Sequence, residues 1–387
     1  MKFMRFLTVI LLSLLFQTSI RGNTVLVTLY AMDLDATSLT LGLVVASTAL
    51  FPMFFASYAG RLSDRTGFRL PITAGMFGAA AALLIPFLFS GSLLALITAQ
   101  LMFGLFQIFT IVSIQNFVGA FSTEDSRSKS FAAYTLSVSV ANLIGPLLTG
   151  FSIDHLGFSV TFIILSAFSL IPAMFFLNLK MPILVSRRAK TTEHQKDGFT
   201  ELLKKPSLRK TFITSAIILT GVGLYEFYFP IYGKSLGLSA SIIGIIISCN
   251  ATAFILSRLL MPYLTAKMKE ERMLGICLTI SAVAFFLIPL NGNPVYLMAV
   301  SFLMGIGLGL CQPLSMTMAY NHSPLGRTGE VLGIRLTVNK AVLFFVPIIF
   351  GSASSLLGFI PIFWSNALLL GCSGVTLIEQ KLNKHSA

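Results

Sequence analysis

The chain has 387 residues, of which 55% are apolar, 11% are charged and 35 are phenylalanine. Soluble domains carry about 25% charged residues, so the composition excludes a water-soluble fold and points to an all-α polytopic membrane protein. The formal charge of +13 would suggest nucleic acid as a partner in a soluble chain. Here the basic residues lie between apolar stretches, where membrane topology accounts for them and no nucleic acid is expected.

Lys2 and Arg5, followed by the apolar run from Phe6 to Phe16, have the charged and apolar regions of a signal peptide. No small-residue cleavage site follows, so the segment is expected to stay as a first span. A span needs about 20 mostly apolar residues. Stretches of that kind fall at 4–30, 39–59, 71–90, 93–120, 129–152 and 158–179. After a hydrophilic segment from Lys180 to Lys210 they resume at 211–232, 239–262, 273–291, 294–319, 331–354 and 359–379. With twelve spans, nearly all the cations fall on one side, while Lys234, Asp33, Asp35 and Asp154 fall on the other. That bias places both termini and the middle segment in the cytoplasm. The four cysteines all lie inside apolar stretches without paired spacing and read as packing residues, not as a disulfide or metal site.

The chain repeats itself. Leu29, Tyr30, Leu34 and Gly42 recur as Ile231, Tyr232, Leu236 and Gly244, an offset of 202. Pro146, Gly150, Gly157 and Phe158 recur as Pro347, Gly351, Gly358 and Phe359, and Gly104 as Gly305, an offset of 201. Residues 1–180 and 211–387 are therefore expected to be copies of one six-helix bundle, joined by a cytoplasmic linker at 181–210.

Three motifs carry a family resemblance. Gly60-Arg61-Leu62-Ser63-Asp64-Arg65-Thr66-Gly67-Phe68-Arg69 reads as a charged loop between two apolar spans, and resembles the loop between helices 2 and 3 of the major facilitator superfamily. Gly145-Pro146, with Gly150 four residues on, resembles the glycine-proline motif of that superfamily's antiporters. Gly305 to Arg335, with Gly307, Gly309, Gln312, Pro313, Arg327, Gly329, Glu330 and Gly333, is similar to a stretch of bacterial efflux members. One position departs: Gln100 stands where efflux members often carry an arginine. The resemblance covers essentially the whole chain. It implies twelve transmembrane helices in two pseudo-symmetric six-helix bundles, and proton-coupled export of a small organic molecule by alternating access. The expected setting is a bacterial inner membrane, and the expected partners are substrate, protons and membrane lipid, with a monomer as the working unit. An uptake symporter or facilitator for a small, anionic metabolite has the same fold. A non-transporting membrane sensor is a third reading, but it would not need embedded charges.

Alternating access needs a latch and a polar cavity. For the latch the residues are Gly60, Asp64, Arg65, Gly67 and Arg69; Asp64 can pair with its own loop's arginines or cap a neighbouring helix. For the cavity, intramembrane ionisable groups read as functional by default. Of fourteen carboxylates, Glu226 alone lies mid-span. A desolvated carboxyl can exchange a proton near neutral pH, which makes Glu226 the candidate proton-coupling group. Under the repeat it maps to Thr24, one turn from Arg21, so an Arg21–Glu226 charge pair is expected to work in the cycle or to fix packing. Lys340 and Asn339 lie deep in the eleventh span. Gln312, Asn142, Gln107, Gln115, Asn116 and Asn250 are polar candidates that could equally be interhelical hydrogen-bonding glue. Arg21 and Lys340 together would make the interior positive and favour anionic or zwitterionic cargo. Arg258 and Arg335, nearer helix ends, read as snorkelling anchors or packing residues. Tyr225, Phe227, Tyr228 and Phe229 read as an apolar wall or as lipid-facing bulk. No nucleotide-binding loop or catalytic motif occurs, so neither an enzyme nor a cofactor is expected.

Overall fold

The computed structural model of the chain describes residues 2–121, 127–178, 205–268, 270–323 and 328–382. Every regular element among them is helical. In order these are α1 (Lys2–Asp33), α2 (Ser38–Thr66), α3 (Arg69–Leu88), α4 (Leu93–Phe121) and a bent stretch Arg127–Asn178. Then follow α7 (Pro206–Ser235), α8 (Ala240–Lys267), α9 (Glu270–Leu287) with a 3-10 turn Ile288–Leu290, α10 (Pro294–Asn321), α11 (Thr328–Leu357) and α12 (Phe359–Leu382). The bent stretch is two helices, α5 (127–156) and α6 (158–178), meeting at Gly157 with φ 80° and ψ 173°. That backbone region is essentially glycine's alone.

Among the described residues eleven helices are long and apolar enough to cross a membrane. One of them, Ala133–Asn178, has 46 residues, about 69 Å at 1.5 Å per residue, more than twice the ~30 Å of a hydrocarbon core. It therefore crosses twice, and the crossings among the described residues number twelve. Large apolar side chains such as Phe54, Leu94, Phe175, Leu259, Val295 and Leu368 are exposed, as a surface solvated by lipid requires.

The segment read as a charged loop is mostly helix. α2 continues through Thr66, so Gly60 to Thr66 form its last two turns, and only Gly67 and Phe68 separate it from α3. Arginine, serine and aspartate do not stop a helix; Gly67 does, with φ 79° and ψ 174°. Gly67→Ala is expected to cost about 1–3 kcal/mol, read as a lowered unfolding temperature of the purified chain. An unchanged temperature would remove this account of the turn.

The chain forms two compact units, Met1–Thr192 with Ser239–Gly244, and Glu193–Leu238 with Ile245–Ala387. Helices in lipid gain little from hydrophobicity and are joined by close packing and hydrogen bonds. In the first unit, Ser19 Oγ donates to the Leu165 carbonyl at 2.8 Å and accepts from Ser169 Oγ at 2.9 Å, tying α1 to α6. Ser166 Oγ donates to the Ala80 carbonyl at 2.9 Å, tying α6 to α3. At Gly104 a Cβ would stand 2.3 Å from the Thr48 carbonyl oxygen, so α4 and α2 touch backbone to backbone. The second unit repeats this at Gly305, where a Cβ would stand 2.4 Å from the Asn250 carbonyl oxygen.

The internal repeat is visible as copied geometry. After α1, the Leu34, Asp35 and Ala36 amides donate to the Tyr30, Met32 and Ala31 carbonyls; after α7, those of Leu236, Gly237 and Leu238 donate to Tyr232, Lys234 and Gly233. Asp35 and Gly237 both take positive φ, 54° and 77°. Tyr30 packs on Phe158 and Phe162 at 5.3 and 5.4 Å between ring centroids. Tyr232 packs on Phe359 and Phe363 at 5.8 and 5.4 Å. Both units are thus one six-helix design.

Candidate functional site

The middle of α1 carries the polar groups of the first unit. Asn23 Nδ2 donates to Gln100 Oε1 at 2.7 Å, and Gln100 Nε2 returns a bond to Asn23 Oδ1 at 3.4 Å. Both residues are buried, so each carboxamide answers the other's desolvation. Beside them is a partly enclosed cavity of about 80 Å3, lined by Asn23, Thr24, Val27, Thr48, Gln100 and Gln107 among others. Thr24 and Thr48 spend their hydroxyl protons on their own helices, at the Ile20 and Val45 carbonyls. A second cluster joins α1 to α5, where Gln17 Nε2 donates to the Tyr134 hydroxyl at 3.1 Å. That hydroxyl also bonds the Gln115 side chain and feels the charge of Arg21. Arg21 itself is half-buried. Asn142 is half-buried too, and its Oδ1 is buried with no hydrogen-bond partner among the described residues.

The glycine-proline motif lies at close approaches. A Cβ on Gly145 would stand 2.7 Å from Arg21 Cβ and 2.8 Å from the Gly22 nitrogen, so α5 and α1 meet at the level of Arg21. A Cβ on Gly150 would stand 2.4 Å from the Ala240 carbonyl oxygen, and one on Gly244 2.5 Å from that of Pro146. Within this unit Asp154 then accepts from the Ala240 and Ser241 amides at 3.1 and 2.7 Å. A carboxylate on free amides at a helix start satisfies orphan donors and complements the helix dipole. In the sequence Asp154 marks sidedness alone, because no spacing rule ties residue 154 to residue 240.

In the second unit Glu226 is half-buried on α7. Tyr225, Phe227, Tyr228 and Phe229 around it are all buried, which rules out lipid-facing bulk. Tyr225 donates to Ser301 Oγ at 2.9 Å and Tyr228 to the Phe350 carbonyl, because a buried tyrosine needs a partner for its hydroxyl. Asn250 Nδ2 donates to the Ser301 carbonyl at 2.9 Å, the interhelical glue of the two readings left open for it. Asn339 Oδ1 accepts from Ser215 Oγ at 2.8 Å. Lys340 and Gln312 are half-buried. Arg335 does not snorkel: at 7% exposed it turns inward, donating to Ser315 Oγ at 3.3 Å and to the Gln312 carbonyl at 3.2 Å. Its long side chain reaches α10 more readily than water.

Of the latch residues, the side chains of Arg61, Asp64 and Arg65 lie outside those described, as does the linker from 181 to 204. The Arg69 guanidinium bonds the Leu177 carbonyl at the end of α6, a cation at the negative end of a helix. Gly60 has room for a methyl group, its nearest neighbour being Val112 Cγ1 at 3.7 Å. Among the described residues no group of three or more His, Cys, Asp or Glu could hold a metal.

The family model described as Major Facilitator Superfamily matches residues 9–272 and 211–385. The chain belongs to the Major Facilitator Superfamily. As a member of it, the chain is a multi-pass integral membrane transporter and not an enzyme. Multidrug resistance protein 2 of Bacillus subtilis (strain 168) is 24% identical over 357 residues, spanning 90% of this chain and 88% of that one. Multidrug resistance protein MdtG of Klebsiella pneumoniae (strain 342) is 25% identical over 345 residues, spanning 87% and 81%. Among solved structures, a point mutant of the nucleoside transporter NupG superposes with a TM-score of 0.80 at 14% identity, over 98% of this chain and 99% of that one. A point mutant of the peptide transporter POT, in complex with sulfate, gives 0.77 at 13% identity, over 98% and 94%. At such identities the superpositions speak for the superfamily fold alone.

Proposed function

We propose that this superfamily member exports small organic molecules in exchange for protons, by alternating access in a bacterial inner membrane, with both termini in the cytoplasm. The observation that carries this reading is the match to proteins named for multidrug resistance over most of both lengths. The one-sided cations support the orientation. Glu226 supports proton coupling, since it is the one carboxylate placed mid-span. Arg21 and Asn142 in the first unit, and Gln312, Asn339 and Lys340 in the second, are the proposed polar contacts for cargo. Asp64, with Arg65 and Arg69, is the proposed latch at the cytoplasmic end of α2. Membrane lipid solvates the exposed apolar surface, and a single chain suffices for the cycle.

The test is accumulation of labelled norfloxacin and chloramphenicol in everted vesicles, made from a strain stripped of its own exporters and expressing this chain. An acid interior is expected to drive uptake into the everted vesicles, and a protonophore to abolish it. Accumulation by intact cells instead would overturn export in favour of uptake.

A further inference from the structure

The first unit holds a cavity that the second has filled. Under the repeat, Asn23, Thr24, Val27 and Thr48 correspond to Tyr225, Glu226, Phe229 and Asn250, and Gln100 and Gln107 to Ser301 and Leu308. In the second unit Tyr225 and Phe229 pack ring to ring at 5.0 Å, and the Tyr225 hydroxyl is spent on Ser301. Asparagine and valine at the matching positions of α1 are smaller and leave the cavity of about 80 Å3. A water occupies about 30 Å3 of liquid, so the space suits two or three waters, or one small polar group.

The lining is half apolar, from Ile20, Val27, Val45 and Phe103, and its polar half carries no formal charge: two threonines whose protons are committed, the paired carboxamides of Asn23 and Gln100, and Gln107. Gln107 decides the matter. It is 8% exposed and lines the cavity, yet its carboxamide makes no hydrogen bond among the described residues. An amide that opens onto a polar cavity is satisfied there by water, or by a guest that takes the water's place. The second unit carries Leu308 at that place and has no such amide.

We infer that this cavity is a subsite for an uncharged group that both donates and accepts hydrogen bonds, a hydroxyl or a carboxamide of the transported molecule, with Gln107 as its binding residue. The inference rests on the reading that small organic molecules are the cargo. A carboxylate or an ammonium is disfavoured, because no lining side chain carries the opposite charge and ions are costly to desolvate. A donor-and-acceptor group satisfies both ends of the Gln107 amide, and one stripped of its donors leaves the amide oxygen unanswered. Sites built to bond a hydroxyl reject analogues lacking it far more strongly than apolar pockets reject size differences.

The experiment is equilibrium binding of chloramphenicol, an uncharged molecule with hydroxyl and amide groups, and of its O-acetylated derivatives, to the full chain in nanodiscs. The same measurement is made on Gln107→Met, close in volume, and on Gln107→Leu, which carries the second unit's own residue. The wild type is expected to prefer chloramphenicol by roughly tenfold, about one good hydrogen bond, and either variant to bind all the ligands within about twofold of one another. Discrimination that survives in both variants, a wild type that does not discriminate, or no measurable chloramphenicol binding each overturns the subsite. Discriminating binding without pH-driven accumulation in vesicles would overturn coupled export and leave the subsite standing.

Discussion

Glu226→Gln is expected to cut pH-driven transport steeply while substrate counterflow continues without a gradient. Glutamine keeps the length and the hydrogen-bonding capacity of the side chain but has no proton to exchange. Glu226 is half-buried on α7 between the buried Tyr225 and Phe227, so the neutral isostere adds no volume to packed surroundings. Coupling between two ligands of one protein amounts to about 1–3 kcal/mol, a ~5–150-fold effect. A fall of that size in the proton-driven rate is the expected result, at unchanged expression and unfolding temperature. Counterflow is the informative control, because exchange of labelled for unlabelled substrate needs the conformational cycle but no net proton movement. Proton-driven accumulation at the wild-type rate would remove Glu226 from the mechanism. Loss of counterflow as well would make it a residue needed for binding or folding, not for coupling.

The second large effect is steric. Gly104→Leu is expected to separate α4 from α2 and to unfold the first unit partially or wholly. The clash is with backbone, since the new Cβ would stand 2.3 Å from the Thr48 carbonyl oxygen and 2.9 Å from its carbonyl carbon. No rotamer relieves that; one helix must shift. Overpacking of this kind costs about 1–3 kcal/mol and occasionally more, and here it also displaces Thr48 from the cavity wall. Thermal unfolding and size-exclusion behaviour of the purified chain read the loss. Gly60→Ala is the control: with Val112 Cγ1 3.7 Å from its Cβ, it is expected to melt like the wild type. Equal stability of all three chains would mean that α2 and α4 can part freely, against the close packing that joins membrane helices.

Composition, cation sidedness and the internal repeat made the fold class and the twelve crossings legible in the sequence, and the motif at Gly60–Arg69 with the glycine-proline and Gly305–Arg335 stretches made the family so. The reason is the bilayer: a backbone surrounded by hydrocarbon must bond to itself, so apolar length alone dictates helices. Charge bias then orders the loops. Glu226 is a candidate on the same grounds, as a carboxylate that the sequence places mid-span. The boundary at Gly60 was not legible, because arginine and aspartate are good enough helix formers for α2 to run on to Gly67, and only a backbone angle shows where it stops. For Arg335 the sequence leaves anchor and packing residue both open, since distance from a helix end does not say which way a side chain turns. Its partners, Ser315 and the Gln312 carbonyl, belong to α10 and are 20 and 23 residues away. The same holds for Asn23 with Gln100 and for Asp154 with the start of α8, partners 77 and 86 residues apart in the chain. The cavity beside Gln107 is a difference between two copies, visible only once asparagine and valine are seen to leave unfilled what tyrosine and phenylalanine fill. Periodicity and hydropathy act locally along the chain and determine what the helices are. Which polar groups meet, and which are left waiting for a partner, depends on contacts between helices distant in sequence, and those only the tertiary structure decided.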